Sequence, residues 1–137
     1  MKKLDSLIRI HRHHVEQRQQ ALSEIAARKK AALAHLAALE AEIEREAANA
    51  GGIEGGAAFY AAYAQAARLR RETIARTVAG YDLEASAARA LLQEAFEALK
   101  KYELVDEATK AKLKREEARK EQQALDEAAS VRVALRR

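Results

Sequence analysis

The sequence predicts an all-α protein: an antiparallel two-helix coiled-coil hairpin whose second helix extends beyond the first. Of its 137 residues, 34 are Ala and only 29 are Leu, Ile, Val, Met or Phe, so helix propensity is high while a thick core is unavailable. Pro is absent, as is typical of long helices. Four of the five Gly residues lie within residues 51–56, which divides this single domain, residues 1–137, into two helical stretches.

The first helix is predicted over residues 4–48, where apolar residues recur at alternating steps of four and three. Nine of the thirteen positions of this first seam are apolar, and no Gly or Pro interrupts them. Polar residues at His11, Arg18 and Lys29 argue against a rigid parallel zipper. The positions are Leu4, Ile8, His11, Val15, Arg18, Leu22, Ile25, Lys29, Ala32, Leu36, Leu39, Ile43 and Glu46.

A Gly-rich turn is predicted over residues 49–56, because Gly adopts the left-handed backbone that ends a helix. A second helix is predicted over residues 57–130, with Gly80 inside it at a cost of about 1 kcal/mol relative to Ala. Two long helices joined by a short turn fold back on each other, so that each apolar stripe finds a partner. The second seam comprises Tyr60, Tyr63, Ala67, Arg70, Ile74, Thr77, Tyr81, Ala85, Ala88, Leu92, Ala95, Leu99 and Tyr102.

The two helices differ in length, and the difference predicts an unpaired C-terminal helix. If the turn centres near Ile53, residue 4 faces roughly residue 102, and residues after about Leu104 have no partner. Residues 106–127 are almost wholly charged, Gln or Ala, with Leu113 and Leu125 as their large apolar residues. We therefore expect a solvated helix that is available to another protein, because helical stability comes mainly from packing a face.

Charge and composition exclude several classes of protein. The net charge is +4, from 25 basic and 21 acidic residues; each basic cluster is followed by acids, so a solvated surface is expected and no nucleic acid as a partner. The longest uncharged stretch, residues 55–67, is 13 residues long, too short to span a bilayer. Asp5 and Arg9 interrupt the apolar segment that a signal peptide needs, and Cys is absent. A cytoplasmic protein is expected.

The chain carries no pattern typical of catalysis or of a bound cofactor. The glycines of residues 51–56 lack the Lys-Ser/Thr that follows a phosphate-binding loop. His11 and His14 are spaced to face one ion, but no carboxylate lies on the same turn and neighbouring Arg residues repel a cation. We expect no enzyme activity, no cofactor and no metal.

Half of the aromatic residues lie just after the turn, at Phe59, Tyr60 and Tyr63. Tyr60 and Tyr63 fall on the second seam, so they are expected to pack inward, while Phe59 is rotated by about 100° toward solvent. The group either covers the end of the hairpin or anchors a partner, since aromatic residues are enriched among interface hot spots.

Several stretches together resemble the FliJ family of flagellar export proteins, in particular its alphaproteobacterial branch. They are Asp5-Ser-Leu-Ile-Arg-Ile, Phe59-Tyr-Ala-Ala-Tyr-Ala, Leu92-Gln-Glu-Ala-Phe-Glu-Ala-Leu-Lys-Lys-Tyr-Glu and Glu117-Ala-Arg-Lys-Glu-Gln-Gln-Ala-Leu-Asp-Glu. The resemblance covers nearly the whole chain, including its length and its unequal helices.

The resemblance implies a non-enzymatic part of the flagellar type III export apparatus, similar to the coiled-coil stalk of rotary ATPases. It implies a place in the centre of the hexameric export ATPase, contact with the membrane export gate protein and escort of export chaperones. Association with the inner face of the cell membrane then runs through partners. The gate is expected at Phe59, Tyr60 and Tyr63. The ATPase ring is expected at Lys110, Lys112, Lys114, Arg115, Arg119, Lys120, Arg136 and Arg137.

Two other functions fit the residues. One is a coiled-coil scaffold or chaperone-like hairpin unconnected with motility. The other is a weakly basic helical hairpin associated with nucleic acid, which a steep loss of DNA binding with salt would favour. Stoichiometric binding to a hexameric ATPase would exclude the second of these.

Overall fold

Two helices make up the computed structural model of the protein, which describes residues 2–136. α1 spans Lys2–Ala50 and α2 spans Gly56–Arg136, and residues 2–136 contain no strand. The predicted all-α helical hairpin is confirmed. Both helices run past their predicted limits. Asp5 in the first turn of α1 and Arg136 in the last turn of α2 have the signs that the helix dipole favours at those ends.

The turn between the helices occupies residues 51–55. The amide of Gly52 donates to the carbonyl of Asn49 over 3.2 Å, and the amide of Gly56 donates to the carbonyl of Ile53 over 3.0 Å. Gly55 has φ of 76°, the left-handed region that only Gly enters without strain. Gly56 is buried, and a Cβ atom there would overlap the carbonyl oxygen of Ala50. Two of the four clustered glycines are therefore required by the turn itself.

Residues 14–95 form one of two compact units, and in it the two predicted seams face each other. Val15 and Leu39 of α1 are buried, as are Ala67 and Ala88 of α2, which are 1% and 8% exposed. The small Ala side chains let the helices approach closely, so the core is thin. Four seam positions of this unit, at which the periodicity places side chains between the helices, are exposed instead. These are Arg18, Glu46, Arg70 and Thr77.

The other unit contains the described residues up to His13 together with those from Phe96 onward. Ile8 is its buried residue. The rings of His11 and Tyr102 stack with centroids 4.7 Å apart, and Arg12 lies 3.7 Å from the carboxylate of Glu103. A ring stack and an ion pair therefore join this part of α1 to α2, and Ile8 is buried beside them.

The unpaired part of α2 begins later than predicted. Half-buried positions continue past Leu104 to Asp106 and Thr109, and every described residue from 110 to 136 is exposed. The expectation that pairing stops near Leu104 was wrong by about one and a half turns. Side chains lean toward the N-terminus of their own helix, so in an antiparallel pair a residue of α1 meets a residue of α2 farther from the turn. We call residues 110–136 the overhang.

Between residues 2 and 136, neither helix contains a stretch long and apolar enough to cross a membrane.

Candidate functional site: the tip, the overhang and an interhelical groove

The end of the hairpin at the turn exposes apolar side chains. Phe59 is 80% exposed and Ile53 is 65% exposed, whereas Tyr60 and Tyr63 are half-buried. The predicted orientation of the three aromatic rings is therefore confirmed, with Phe59 outward and both Tyr residues inward. We call Ile53, Phe59, Tyr60 and Tyr63 the tip surface. Phe59 and Ile53 together give the tip surface an exposed apolar part, which is the kind of surface that interface anchors provide.

The hydroxyl of Tyr63 is buried, and among residues 2–136 it has no hydrogen bond of good geometry. Burial is the main reason that the pKa of Tyr63 is raised above its ordinary value, and the negative charges of Glu42 and Glu46 raise it further. These carboxylates lie near the C-terminal end of α1, which has no basic residue in its last turn. Together with Glu44 and the turn residue Glu54 they outnumber the one basic residue there, Arg45, so this end of the hairpin is acidic as well as apolar.

The predicted basic residues that belong to the overhang are all exposed. Lys112, Arg115 and Arg119 follow the i, i+3, i+7 spacing that places side chains on one helix face. Lys110 instead lies 2.9 Å from the carboxylate of Asp106, and hydrogen bonding to that carboxylate raises the pKa of Lys110. The remaining basic residues of the set within residues 2–136 are also exposed, and Arg137 lies outside the described residues. These are Lys114, Lys120 and Arg136.

The basic excess of the chain is not evenly spread along the sequence. Residues 14–95 contain ten basic and eleven acidic residues, a net charge of −1. The remaining residues, 1–13 and 96–137, contain fifteen basic and ten acidic residues, a net charge of +5. The whole positive balance therefore belongs to the parts of the sequence that include the overhang, which favours an acidic partner there.

The His patch is not arranged as a metal centre. His11 is half-buried against Tyr102, while His13 and His14 are exposed. Across the described part of the chain, no group of three or more His, Cys, Asp or Glu side chains could hold a metal ion together. His11 thus acts in packing.

A groove lies between α1 and α2 within residues 14–95. Its volume is about 430 Å³, and residues of both helices line it. Its lining combines the basic side chains of Arg28, His35 and Arg70 with the apolar side chains of Leu39 and Ile74. The other lining residues are Ala31, Ala32, Thr77 and Tyr81.

Comparison with known proteins decides the family. The model of the family described as "Flagellar FliJ protein" matches residues 1–137. The chain belongs to the FliJ family. It is similar to the flagellar FliJ proteins of two strains of Caulobacter vibrioides, NA1000 / CB15N and CB 15, with 41% identity over 105 residues in each case. These residues cover 77% of this chain and 76% of each relative. No solved structure matches.

This FliJ-family chain is therefore a component of flagellum biogenesis and protein export. The family is not known for enzyme activity. The interpretation drawn from four short sequence stretches is confirmed at this level. The roles of the tip surface and of the overhang in binding stay predictions.

Sequence reasoning about this FliJ-family chain missed the groove. Arg70 and Thr77 are polar positions of the second seam, one on each side of Ile74, and each alone looks like an isolated defect. Two polar positions one heptad apart, together with the small Ala32 of the first seam, are a signal for a gap between the helices, since Ile74 alone does not fill the space.

Proposed function

We propose that this FliJ-family protein is a non-enzymatic central stalk of the flagellar export ATPase ring that also contacts the membrane export gate and escorts export chaperones. Its place is in the cytoplasm at the inner face of the cell membrane, where its partners hold it. The proposal combines family membership with two exposed surfaces at different parts of the sequence.

The exposure of the overhang is the observation that carries the proposal. From Lys110 to Arg136, 27 residues form continuous helix without one buried or half-buried side chain. A helix of that length spans about 40 Å at 1.5 Å per residue. An isolated charged helix is marginal in water, because most helices are stabilised by packing. A ring of subunits around the overhang supplies that packing.

Charge supports an electrostatic contribution to this contact. Lys112, Arg115 and Arg119 lie on one helix face, which Glu116 shares, and none of the three has an ion pair with a carboxylate among residues 2–136. Surface charges of this kind raise association rates and make binding sensitive to salt more than they add affinity. We infer that salt slows ring binding while the hairpin stays folded.

The tip surface supports the gate contact. Phe59 and Ile53 are the exposed apolar side chains of the turn region, and they lie beside the acidic end of α1. An aromatic anchor surrounded by charge is the composition of an interface core with a polar rim. The same chain can then bind a ring through one end of α2 and a membrane protein through the other.

Removal of the overhang tests the proposal. The chain is truncated after Thr109, the last half-buried residue of α2, so that the inward-facing contacts remain. The full chain is expected to bind the hexameric export ATPase and stimulate ATP hydrolysis, while the truncated chain keeps its helix content per residue and loses stimulation. Full stimulation by the truncated chain would contradict the stalk role.

A charge-reversal variant tests whether ring binding depends on the basic side chains of the overhang or only on the presence of the helix. The triple variant Lys112→Glu, Arg115→Glu and Arg119→Glu is compared with a control that reverses Arg18, Arg76 and Arg89, all exposed within residues 14–95. We expect the overhang variant to bind the ring more slowly, with a weaker dependence on salt, and the control to behave as the parent chain. Equal losses in both would indicate a general effect of net charge and contradict a contact at this face.

A further inference from the structure

An ion pair between α1 and α2 lies beside each end of the interhelical groove. Lys29 pairs with Asp82 over 2.6 Å, next to the groove residues Arg28 and Tyr81. Glu40 pairs with Arg71 over 4.0 Å, next to the groove residues Leu39 and Arg70. The groove itself is lined by no acidic residue. Its basic side chains therefore face a space in which the lining residues supply no counter-charge.

The space exists because the side chains that meet there are either small or hydrogen-bonded to their own helix. Ala31 and Ala32 of α1 are too short to reach α2. The hydroxyl of Thr77 donates to the carbonyl of Thr73 over 3.0 Å, so it is engaged with its own helix and does not bridge the gap. Ala and Thr at facing positions leave part of the half-buried Ile74 without the contacts that a close-packed interior provides.

We propose that this groove binds an acidic amphipathic peptide segment of a partner protein, with its apolar side chains on the half-buried Ile74 and Tyr81 and its carboxylates against Arg28 and Arg70. Arg guanidinium groups bind carboxylates with two parallel hydrogen bonds, which fixes the register of the segment. A third helix laid along two others is a common way to cover an apolar groove. No residue of the groove belongs to the tip surface or to the overhang.

The dimensions favour a peptide over a small ligand. The lining extends over residues 28–39 and 70–81, about three turns or 16 Å of each helix at 1.5 Å per residue. A groove of this length, open along its side, can cover one face of a helical peptide. Drug-sized ligands instead need most of their surface enclosed.

The composition of the groove favours carboxylates over a nucleic acid. A nucleic-acid surface combines cations with aromatic stacking platforms, and Tyr81 is the one aromatic residue among the lining side chains besides the His35 imidazole. Ile74 and the ring of Tyr81, both half-buried, form an apolar floor that a phosphate backbone leaves uncovered. An apolar floor with a cationic rim matches a segment with Glu on one face and Leu on the other.

The probe is a fluorescent 14-residue helical peptide with Leu on one face and Glu on the other, titrated with the full chain and followed by fluorescence anisotropy. Two matched peptides replace Glu by Lys or Leu by Ala. We expect binding of the Glu/Leu peptide alone, weakened about tenfold or more when Arg28 and Arg70 are both changed to Glu, a loss of at least about 1.4 kcal/mol. The control Arg76→Glu, Arg89→Glu reverses two exposed cations of α2 outside the groove and is expected to keep affinity within about twofold.

A second variant keeps the test informative if the charge reversals disturb folding. Ala32→Leu fills the groove without changing charge, and it is expected to abolish peptide binding while the melting temperature stays equal or rises. Binding that is unchanged by Ala32→Leu, absent for all three peptides, or equal for the Glu/Leu and Lys/Leu peptides would overturn the proposal. So would an oligonucleotide that binds with the same dependence on Arg28 and Arg70, because the surface would then recognise phosphate.

Discussion

The imidazole of His11 stacks on the phenol ring of Tyr102, with centroids 4.7 Å apart and planes inclined by 23°. Both residues occupy seam positions, where coiled coils ordinarily place aliphatic side chains. The stack lets a polar residue serve as core, since both rings bury their faces and keep their edges near water. The first part of α1 is thus joined to α2 by ring contact, with Ile8 buried beside it.

Loss of this stack is expected to loosen the first turns of α1. His11→Ala removes one ring and should lower the free energy of unfolding by about 0.5–1.5 kcal/mol, the range for such pairs. Hydrogen exchange should quicken in residues 4–12 more than in residues 22–43. His13→Ala is the control, because His13 is exposed, and it should leave exchange unchanged. Equal acceleration in both variants would contradict a packing role for His11.

The overhang should exchange its amide hydrogens much faster than the paired parts of the helices. Residues 22–43 and 74–99 lie where seam residues face each other, whereas residues 110–136 have no half-buried side chain. Unpaired helices open locally with little free-energy cost. Mass spectrometry of exchanged peptides measures the difference. Equal protection along the whole of α2 in the isolated chain would show that the overhang is covered, most simply by a second copy.

Substitution of Phe59 should affect partner binding, whereas substitution of Tyr63 should affect the stability of the fold. Phe59 is exposed, so Phe59→Ala should change the melting temperature little, and it should weaken binding to the export gate by about 2 kcal/mol if the ring is a hot spot. Tyr63 is half-buried, so Tyr63→Ala should lower the free energy of unfolding by about 1–2 kcal/mol. Calorimetry and a gate-binding assay measure the two effects. A Phe59→Ala chain that unfolds early but binds normally would make the ring structural.

Two glycines of α2 should respond in opposite directions to the same substitution. Gly80 lies within the helix, and no atom outside its own turn would come within 4 Å of a Cβ added there, so Gly80→Ala should stabilise the fold by about 0.5–1 kcal/mol through helix propensity. Gly56→Ala should destabilise it, because the new Cβ atom would overlap the carbonyl oxygen of Ala50. Thermal unfolding followed by circular dichroism compares them, and equal shifts would contradict the close approach at Gly56.

The raised pKa of Tyr63 predicts a loss of stability in alkaline solution. Burial and the charges of Glu42 and Glu46 favour the neutral hydroxyl in the folded chain. This contribution is fully present below the ordinary pKa of 10.0 and is lost as pH rises through the raised value. Tyr63→Phe, which cannot ionise, should lose less stability between neutral and strongly alkaline pH. Glu42→Gln should move the Tyr63 titration, followed by tyrosinate absorbance, back toward its ordinary value.

The sequence by itself determined the fold class, because its signals are local. Alternating steps of four and three predict which side chains of each helix lie inside, and Val15, Leu39, Ala67 and Ala88 are buried as expected. The glycine cluster predicts the turn, since left-handed backbone is a property of the residue itself. The outward position of Phe59 follows from its rotation of about 100° from the seam.

Only the tertiary structure decided the relations between the two helices. Which residue of α1 meets which residue of α2 depends on the lean of side chains along both helices, so the overhang begins after Thr109 instead of near Leu104. Lys29 and Asp82 are 53 positions apart in sequence, and their pairing depends on this register. The groove depends on the same register, because its lining brings Ala32 of one helix together with Ile74 and Thr77 of the other. Periodicity within a helix specifies a face, whereas packing between helices specifies the partner.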